Sequence, residues 1–104
     1  MQHLPVFLDV KGREALVVGG GEAAARKVRL LVQAGAMVVV VAPKYGESLR
    51  VMANKGEVRL LARSFTSDDV GRQAVVIAAT GLWRVDADVS KAAKAAGIPA
   101  HRRR

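Results

Sequence analysis

The chain has 104 residues and no cysteine. That length is room for one domain, and the lack of cysteine excludes disulfide scaffolds, Cys-based metal sites and thiol nucleophiles. The 17 Lys and Arg residues outnumber the 9 Asp and Glu residues, giving a formal charge of +8. Since the basic residues are spread out, with no aromatic side chains interleaved as stacking platforms, we expect no specific nucleic-acid partner.

Hydrophobic residues make up 51% of the chain but aromatic residues only 4%, so Ala, Val and Leu carry the apolar mass. This composition is typical of a parallel sheet covered by helices. The longest apolar run, residues 36–43, is shorter than the roughly 18–20 residues of a membrane span. Asp9 and Lys11 also interrupt the N-terminal apolar stretch, so we expect a soluble, cytoplasmic protein without a membrane partner.

Apolar patterns in the first half of the chain alternate between strand and helix periods. Residues 4–9 predict a short strand, and residues 14–18, followed by three glycines, predict a buried one. From Glu22 the period becomes helical until Gly35, which is a typical helix stop. Residues 37–41 then predict a second buried strand, rich in β-branched side chains.

The second half continues the alternation. The predicted elements are a helix at 48–54, a strand at 58–62, a short helical turn capped at Ser67-Asp68-Asp69, a buried strand at 74–79, and a helix at 85–96. Ile98 begins a fifth strand, but His101-Arg102-Arg103-Arg104 leaves the apolar pattern as a basic tail. We therefore predict an α/β domain over residues 1–104, a parallel sheet with helices on both faces, truncated after the fifth strand begins.

The segment Gly19-Gly20-Gly21-Glu22-Ala23-Ala24 fits the pattern G-x-G-x-x-G/A between a predicted strand and a predicted helix. In that context the glycines permit a tight turn and the approach of a pyrophosphate, and the helix N-terminus attracts the anion. A turn used only for packing is the alternative. The acid expected about 20 residues later is absent, because the second strand ends in Ala42-Pro43-Lys44, so the choice between NAD and NADP stays open.

Five segments carry a resemblance to a known family. They are Leu4-Pro5-Val6-Phe7-Leu8-Asp9, the glycine turn from Val17 to Val28, Gly35-Ala36, Val40-Val41-Ala42-Pro43 and Ile77-Ala78-Ala79-Thr80. Over residues 4–98 the sequence resembles the N-terminal domain of siroheme synthase, in the precorrin-2 dehydrogenase/sirohydrochlorin ferrochelatase family. The resemblance implies a Rossmann-type domain that binds NAD and oxidises precorrin-2 to sirohydrochlorin; family members with chelatase activity also insert iron.

Cofactor contacts are implied by the resemblance, position by position. They are Gly19, Gly20, Gly21, Glu22 and Ala23 around the pyrophosphate, Pro43 and Lys44 near the adenosine, and Ala79 and Thr80 beside the nicotinamide. The family aspartate associated with catalysis falls on Arg104, whose guanidinium cannot accept a proton, so no catalytic residue is assigned. His101 titrates near neutral pH, but we expect an exposed, idle imidazole. The three arginines attract the carboxylates of precorrin-2 or form a solvated end, and we expect the latter.

The segment after Thr80 also departs from the family. Trp83 is either a platform for the flat tetrapyrrole or a loop aromatic folded back onto the domain, and we expect the latter. Asp86 and Asp88 are expected in the first turn of the last helix, where their charge interacts favourably with the helix dipole. Two histidines are too few for a metal site.

Three function classes remain open. They are the NAD-binding domain of a precorrin-2 dehydrogenase, a non-catalytic module that binds NAD or a tetrapyrrole, and a basic protein associated with nucleic acid. Whether the chain is an enzyme is open, because the family aspartate and the family's second, helical domain are absent from this sequence. A homodimer is also open, since an interrupted fifth strand would expose a sheet edge.

Overall fold

A computed structural model describes residues 9–102. The strands are β1 (Glu14–Val18), β2 (Met37–Val41), β3 (Val58–Leu61), β4 (Val75–Ala78) and β5 (Ala100–Arg102). The helices are α1 (Glu22–Gln33), α2 (Glu47–Asn54) and α3 (Trp83–Ala95), with a 3₁₀ turn at Ser67–Asp69. The strand predicted at residues 4–9 lies, up to residue 8, outside the described residues. Within residues 9–102, no helix is long and apolar enough to cross a membrane.

The five strands form one parallel sheet in the order β3-β2-β1-β4-β5. Leu16 of β1 is in register with Val39 of β2 on one side and with Val76 of β4 on the other. The chain therefore runs outward from β1 to β3 and then returns to the other side of β1. This reversal leaves a crevice at the carboxyl ends of β1 and β4, which is where sheets of this kind bind ligands.

Side chains alternate between two apolar cores, one on each face of the sheet. Val17, Val40 and Ile77 pack with α1 and α2, whereas Leu16, Val76 and Val89 belong to the core under α3. All are essentially inaccessible to solvent, and burying each such side chain contributes roughly 1.5–3 kcal/mol. Helices thus cover both faces, and the predicted α/β class is confirmed.

The fifth strand differs from its prediction. It begins at Ala100, and it includes His101 and Arg102, which we had expected in a tail outside the sheet; they are in register with Ile77 and Ala78. Strand pairing is made by backbone groups, and at the edge of a sheet the side chains need not be apolar. Residues 103–104 lie outside the described part of the chain.

Candidate dinucleotide-binding site

A cleft of about 470 Å³ lies at the carboxyl ends of the strands, beside the point where the strand order reverses. It is lined by Val18, Gly19, Gly20, Gly21, Ala42, Pro43, Lys44, Ser64, Phe65, Thr80, Leu82, Val85 and Asp88. This volume falls within the range of small-molecule and cofactor sites. The apolar walls and few polar groups are also typical of such sites.

Two glycines let the turn after β1 lie directly against neighbouring backbone. Gly19 has a φ of +142°, and a Cβ there would collide with the carbonyl oxygen of Ala79. A Cβ on Gly20 would collide with the carbonyl oxygen of Lys44 and lie 2.8 Å from the Cα of Tyr45. A Cβ on Gly21, by contrast, would meet nothing within 4 Å. The turn is therefore packed on its inner side and open at Gly21.

The open side of the turn is also the N-terminus of α1. Gly21 is the N-cap residue and has extended backbone, and no side chain caps the helix. The N–H groups of a first helical turn have no partners within the helix, and the helix dipole adds partial positive charge there. These groups fit a pyrophosphate, because they offer donors and a favourable field without a competing side chain.

Two contacts connect the glycine turn to the loop between β2 and α2, and a third connects the first turns of α1 and α2. Besides the packing of Gly20, the Gly46 N–H donates to the Gly20 carbonyl at 2.9 Å. The Ser48 hydroxyl donates to Glu22 Oε2 at 2.7 Å, and Arg29 lies 3.9 Å from the same carboxylate. The side chain of Glu22 is therefore engaged with α1 and α2, outside the cleft.

Six of the nine predicted cofactor residues line one cleft: Gly19, Gly20, Gly21, Pro43, Lys44 and Thr80. The other three, Glu22, Ala23 and Ala79, are not among the lining residues. Ala79 is buried beneath Gly19, where its carbonyl supports the turn. Lys44 is exposed at the rim, where the second strand ends without a carboxylate.

Asp86 is a buried carboxylate that the sequence interpretation assigned only to the helix dipole. It lies in the first turn of α3 and is 5% exposed. Its Oδ1 accepts hydrogen bonds from the Thr80 N–H at 3.0 Å and from the Thr80 hydroxyl at 2.6 Å. The signal available in the sequence was an acid, Asp86, six residues after Thr80.

The opposite wall comes from the segment after β3, which carried no periodic pattern. Ser64 and Phe65 line the cleft there, and Arg63 next to them forms a bidentate pair with Asp69, at 2.5 and 2.9 Å. The hydrogen bond from Arg63 lowers the pKa of Asp69. Asp69 also accepts the Thr66 N–H at 2.9 Å in a capping box, so the cap of this turn is Thr66 rather than Ser67.

Two further expectations are wrong. Trp83 is not folded back onto the domain: it begins α3 and is 75% exposed, next to Leu82, which lines the cleft. His101 is half-buried rather than exposed, and burial, followed by the nearby charge of Lys27, lowers its pKa. His101 is not among the residues that line the cleft. Arg104 lies outside the described residues.

A parallel sheet of order 3-2-1-4-5, with a glycine turn leading into a helix at the crevice, defines a Rossmann-type dinucleotide-binding domain. In the residues that the structure describes, no cluster of three His, Asp or Glu side chains could hold a metal ion. A family model described as "Putative NAD(P)-binding" matches residues 6–103. The chain therefore belongs to this NAD(P)-binding family.

Individual relatives confirm the resemblance to siroheme synthase that was inferred from the sequence. The chain is 48% identical over 99 residues to a siroheme synthase of Pseudomonas paraeruginosa, covering 95% of this chain and 21% of that protein. It is 45% identical over 98 residues to the siroheme synthase of Nitrosococcus oceani, covering 94% of this chain and 21% of that protein. Among solved structures, "SirC, precorrin-2 dehydrogenase" matches with a TM-score of 0.76 and 32% identity, covering 86% of this chain and 44% of that one. The chain spans about a fifth of the length of these curated relatives.

Proposed function

We propose that this chain is the NAD-binding domain of a precorrin-2 dehydrogenase, which oxidises precorrin-2 to sirohydrochlorin in siroheme biosynthesis. The cleft over the uncapped N-terminus of α1 carries the proposal, together with the relatives' names. NAD would supply the hydride acceptor, and the protein's part is to bind and orient it.

The proposed binding mode follows the strand order. Backbone N–H groups of Gly20 and Gly21 and of the first turn of α1 would hold the pyrophosphate, and Pro43 and Lys44 would border the adenosine. Thr80, two residues after β4, would border the nicotinamide. Because β2 is followed by Ala42-Pro43-Lys44 without a carboxylate, Lys44 would tolerate a 2′-phosphate. The binding experiment therefore compares NAD with NADP.

We place the apolar face of the macrocycle against Leu82 and Trp83. Both side chains are largely exposed, and Leu82 lines the cleft on the side of Thr80. A flat, apolar surface beside the nicotinamide position suits a flat tetrapyrrole. Arg102, the last residue of β5, adds positive charge for a substrate rich in carboxylates.

A second candidate function is a non-catalytic module that binds NAD or a tetrapyrrole. It is favoured by one observation: Arg104 occupies the position of the family aspartate, and an arginine cannot take the proton that must leave the macrocycle. His101 is the nearest neutral base in sequence, but it lies outside the cleft lining.

Anaerobic incubation of the purified chain with precorrin-2 and NAD+ tests the enzyme against the module. Formation of NADH and sirohydrochlorin, against a control without protein, supports the dehydrogenase. Binding of NAD+ by calorimetry without turnover supports the module, and absence of binding to NAD+ and NADP+ rejects the dehydrogenase and the NAD-binding form of the module. Light scattering on the same sample tests a homodimer, which the proposal includes as the source of a second wall for the substrate.

A further inference from the structure

The hydrogen-bond partners of the Thr80 hydroxyl leave it able only to accept a hydrogen bond from a ligand. A threonine hydroxyl has one proton to donate and two lone pairs that accept. Its shortest contact is to Asp86 Oδ1, at 2.6 Å, the length of a charge-assisted hydrogen bond. The Leu82 carbonyl, at 3.3 Å, is a longer alternative acceptor. The proton is therefore committed to Asp86.

One lone pair of the same oxygen is also occupied, since the Leu82 N–H donates to Thr80 Oγ1 at 3.0 Å. Asp86 fixes the residue a second time by accepting the Thr80 backbone N–H at 3.0 Å. Asp86 is buried and Thr80 lines the cleft. The hydroxyl oxygen of this cleft-lining residue thus keeps a single free lone pair and no free proton.

We propose that Asp86 is a positioning residue that turns Thr80 into an obligate hydrogen-bond acceptor, and that this makes the cleft select a carboxamide over a carboxylate on the pyridine ring. The proposal rests on the proposed function, because it takes the nicotinamide end of NAD to lie at Thr80. A carboxamide offers an N–H₂ donor to the free lone pair, whereas a carboxylate has only acceptors. Asp88, on the same wall, adds like-charge repulsion against a carboxylate.

Three ligands test the proposal by calorimetry: NAD+, nicotinic acid adenine dinucleotide and ADP-ribose. ADP-ribose lacks the pyridine ring, so its affinity reports on the remainder of the cleft. We expect NAD+ to bind about tenfold or more tightly than nicotinic acid adenine dinucleotide, the ratio that one correctly paired hydrogen bond and one avoided mismatch supply. Equal affinities for the two dinucleotides would overturn the proposal.

Variants separate positioning from general damage to the fold. In Thr80→Val the hydroxyl is lost at nearly constant shape, and in Asp86→Ala its proton is released. Both variants should lower the ratio of the two dinucleotide affinities severalfold, to the part that the charge of Asp88 maintains, while ADP-ribose affinity is unchanged. Thr80→Ser and Asp86→Asn keep the hydroxyl and the accepting oxygen and should restore the ratio. A preserved ratio in Thr80→Val contradicts the proposal, even if Asp86→Ala fails to fold. If the wild type binds none of the three ligands, the proposed function itself is wrong, and the inference falls with it.

Discussion

The Cα of Gly20 lies against the backbone of the loop between β2 and α2, at Lys44 and Tyr45. Because the atoms it faces are backbone, they cannot rotate away from an added Cβ. We expect Gly20→Ala to lower the free energy of unfolding by about 1–3 kcal/mol, the usual cost of overpacking. It should also weaken NAD+ binding, since the turn must move relative to Lys44. Urea unfolding and calorimetry measure the two effects.

Gly71→Ala is the matched control for this change. Its Cβ would meet nothing within 4 Å, and Gly71 is not among the cleft residues. We expect its effect on stability to stay within about 0.5 kcal/mol, as for other open surface sites. An equal cost for the two alanines would show that the close approach at Gly20 does not constrain the turn.

Trp83 is the one tryptophan of the chain, so its fluorescence reports on a single place beside the cleft. We expect precorrin-2 to quench this emission and Trp83→Ala to raise the KM for precorrin-2 while leaving the Kd for NAD+ unchanged. Trp83→Phe, which keeps a smaller aromatic face, should retain part of the effect. A KM unchanged in Trp83→Ala would place the substrate elsewhere.

At the scale of elements, the 3₁₀ turn depends on one carboxylate with two sets of partners. The side chain of Asp69 is 9% exposed, accepts from Arg63 and caps the Thr66 N–H. Because these bonds lower its pKa in the folded state, their stabilisation is complete above about pH 4, the ordinary pKa of Asp in an unfolded chain, and is lost as the pH falls through the lowered value. The chain should therefore lose stability below about pH 4.

Asp69→Asn removes this acid dependence and should cost up to about 1 kcal/mol at pH 7, because the amide keeps an oxygen for the Thr66 N–H but loses the ion pair with the half-exposed Arg63. Asp68→Asn is the control, because Asp68 lies in the same turn and is exposed. Thermal unfolding from pH 3 to pH 7 separates the two variants. If both variants lose stability below pH 4 as the wild type does, Asp69 does not determine this loss.

Elements that bury a regular apolar pattern were predictable, whereas those made by single polar contacts were not. The strand at Glu14–Val18 agrees with its prediction because three glycines follow it and mark its end. The helix from Glu22 agrees as well, because Gly35 marks where it stops. The strand at Ala100–Arg102 differs because an edge strand is defined by backbone pairing, which side-chain polarity does not record.

The same distinction applies to the candidate site. Residues of the glycine turn belong to a local motif with a known spacing, so the sequence could propose them. Phe65 lines the cleft and Asp86 binds the cleft residue Thr80 from behind; both act through contacts of a loop or a helix start, which no local pattern encodes. Glu22 satisfies the motif's spacing, yet its carboxylate is held by Ser48 on another helix.

At the scale of the whole molecule, the formal charge of +8 attracts an anionic dinucleotide. Salt shortens the range of this attraction from about 10 Å at 0.1 M to about 3 Å at 1 M. We therefore expect NAD+ binding to weaken as NaCl is raised over this range. Calorimetry at several salt concentrations gives the slope.

Lys44→Gln and Lys91→Gln remove the same net charge from different places. Lys44 lies at the rim of the cleft, and Lys91 is exposed on α3 outside it. If the charge next to the cleft attracts the dinucleotide, only Lys44→Gln should weaken NAD+ binding and reduce its dependence on salt concentration. Equal slopes for the two variants would mean that net charge alone is responsible.

The bond from the Gly46 N–H to the Gly20 carbonyl connects the N-cap of α2 to the turn before α1. Opening either segment breaks this bond, so the two open together, and a ligand that closes one protects the other. Amide hydrogen exchange at Gly46 should therefore slow when ADP-ribose binds, although Gly46 is not among the cleft residues. Because this bond is present without a ligand, part of the order needed to receive the pyrophosphate is acquired during folding, and binding costs less conformational entropy.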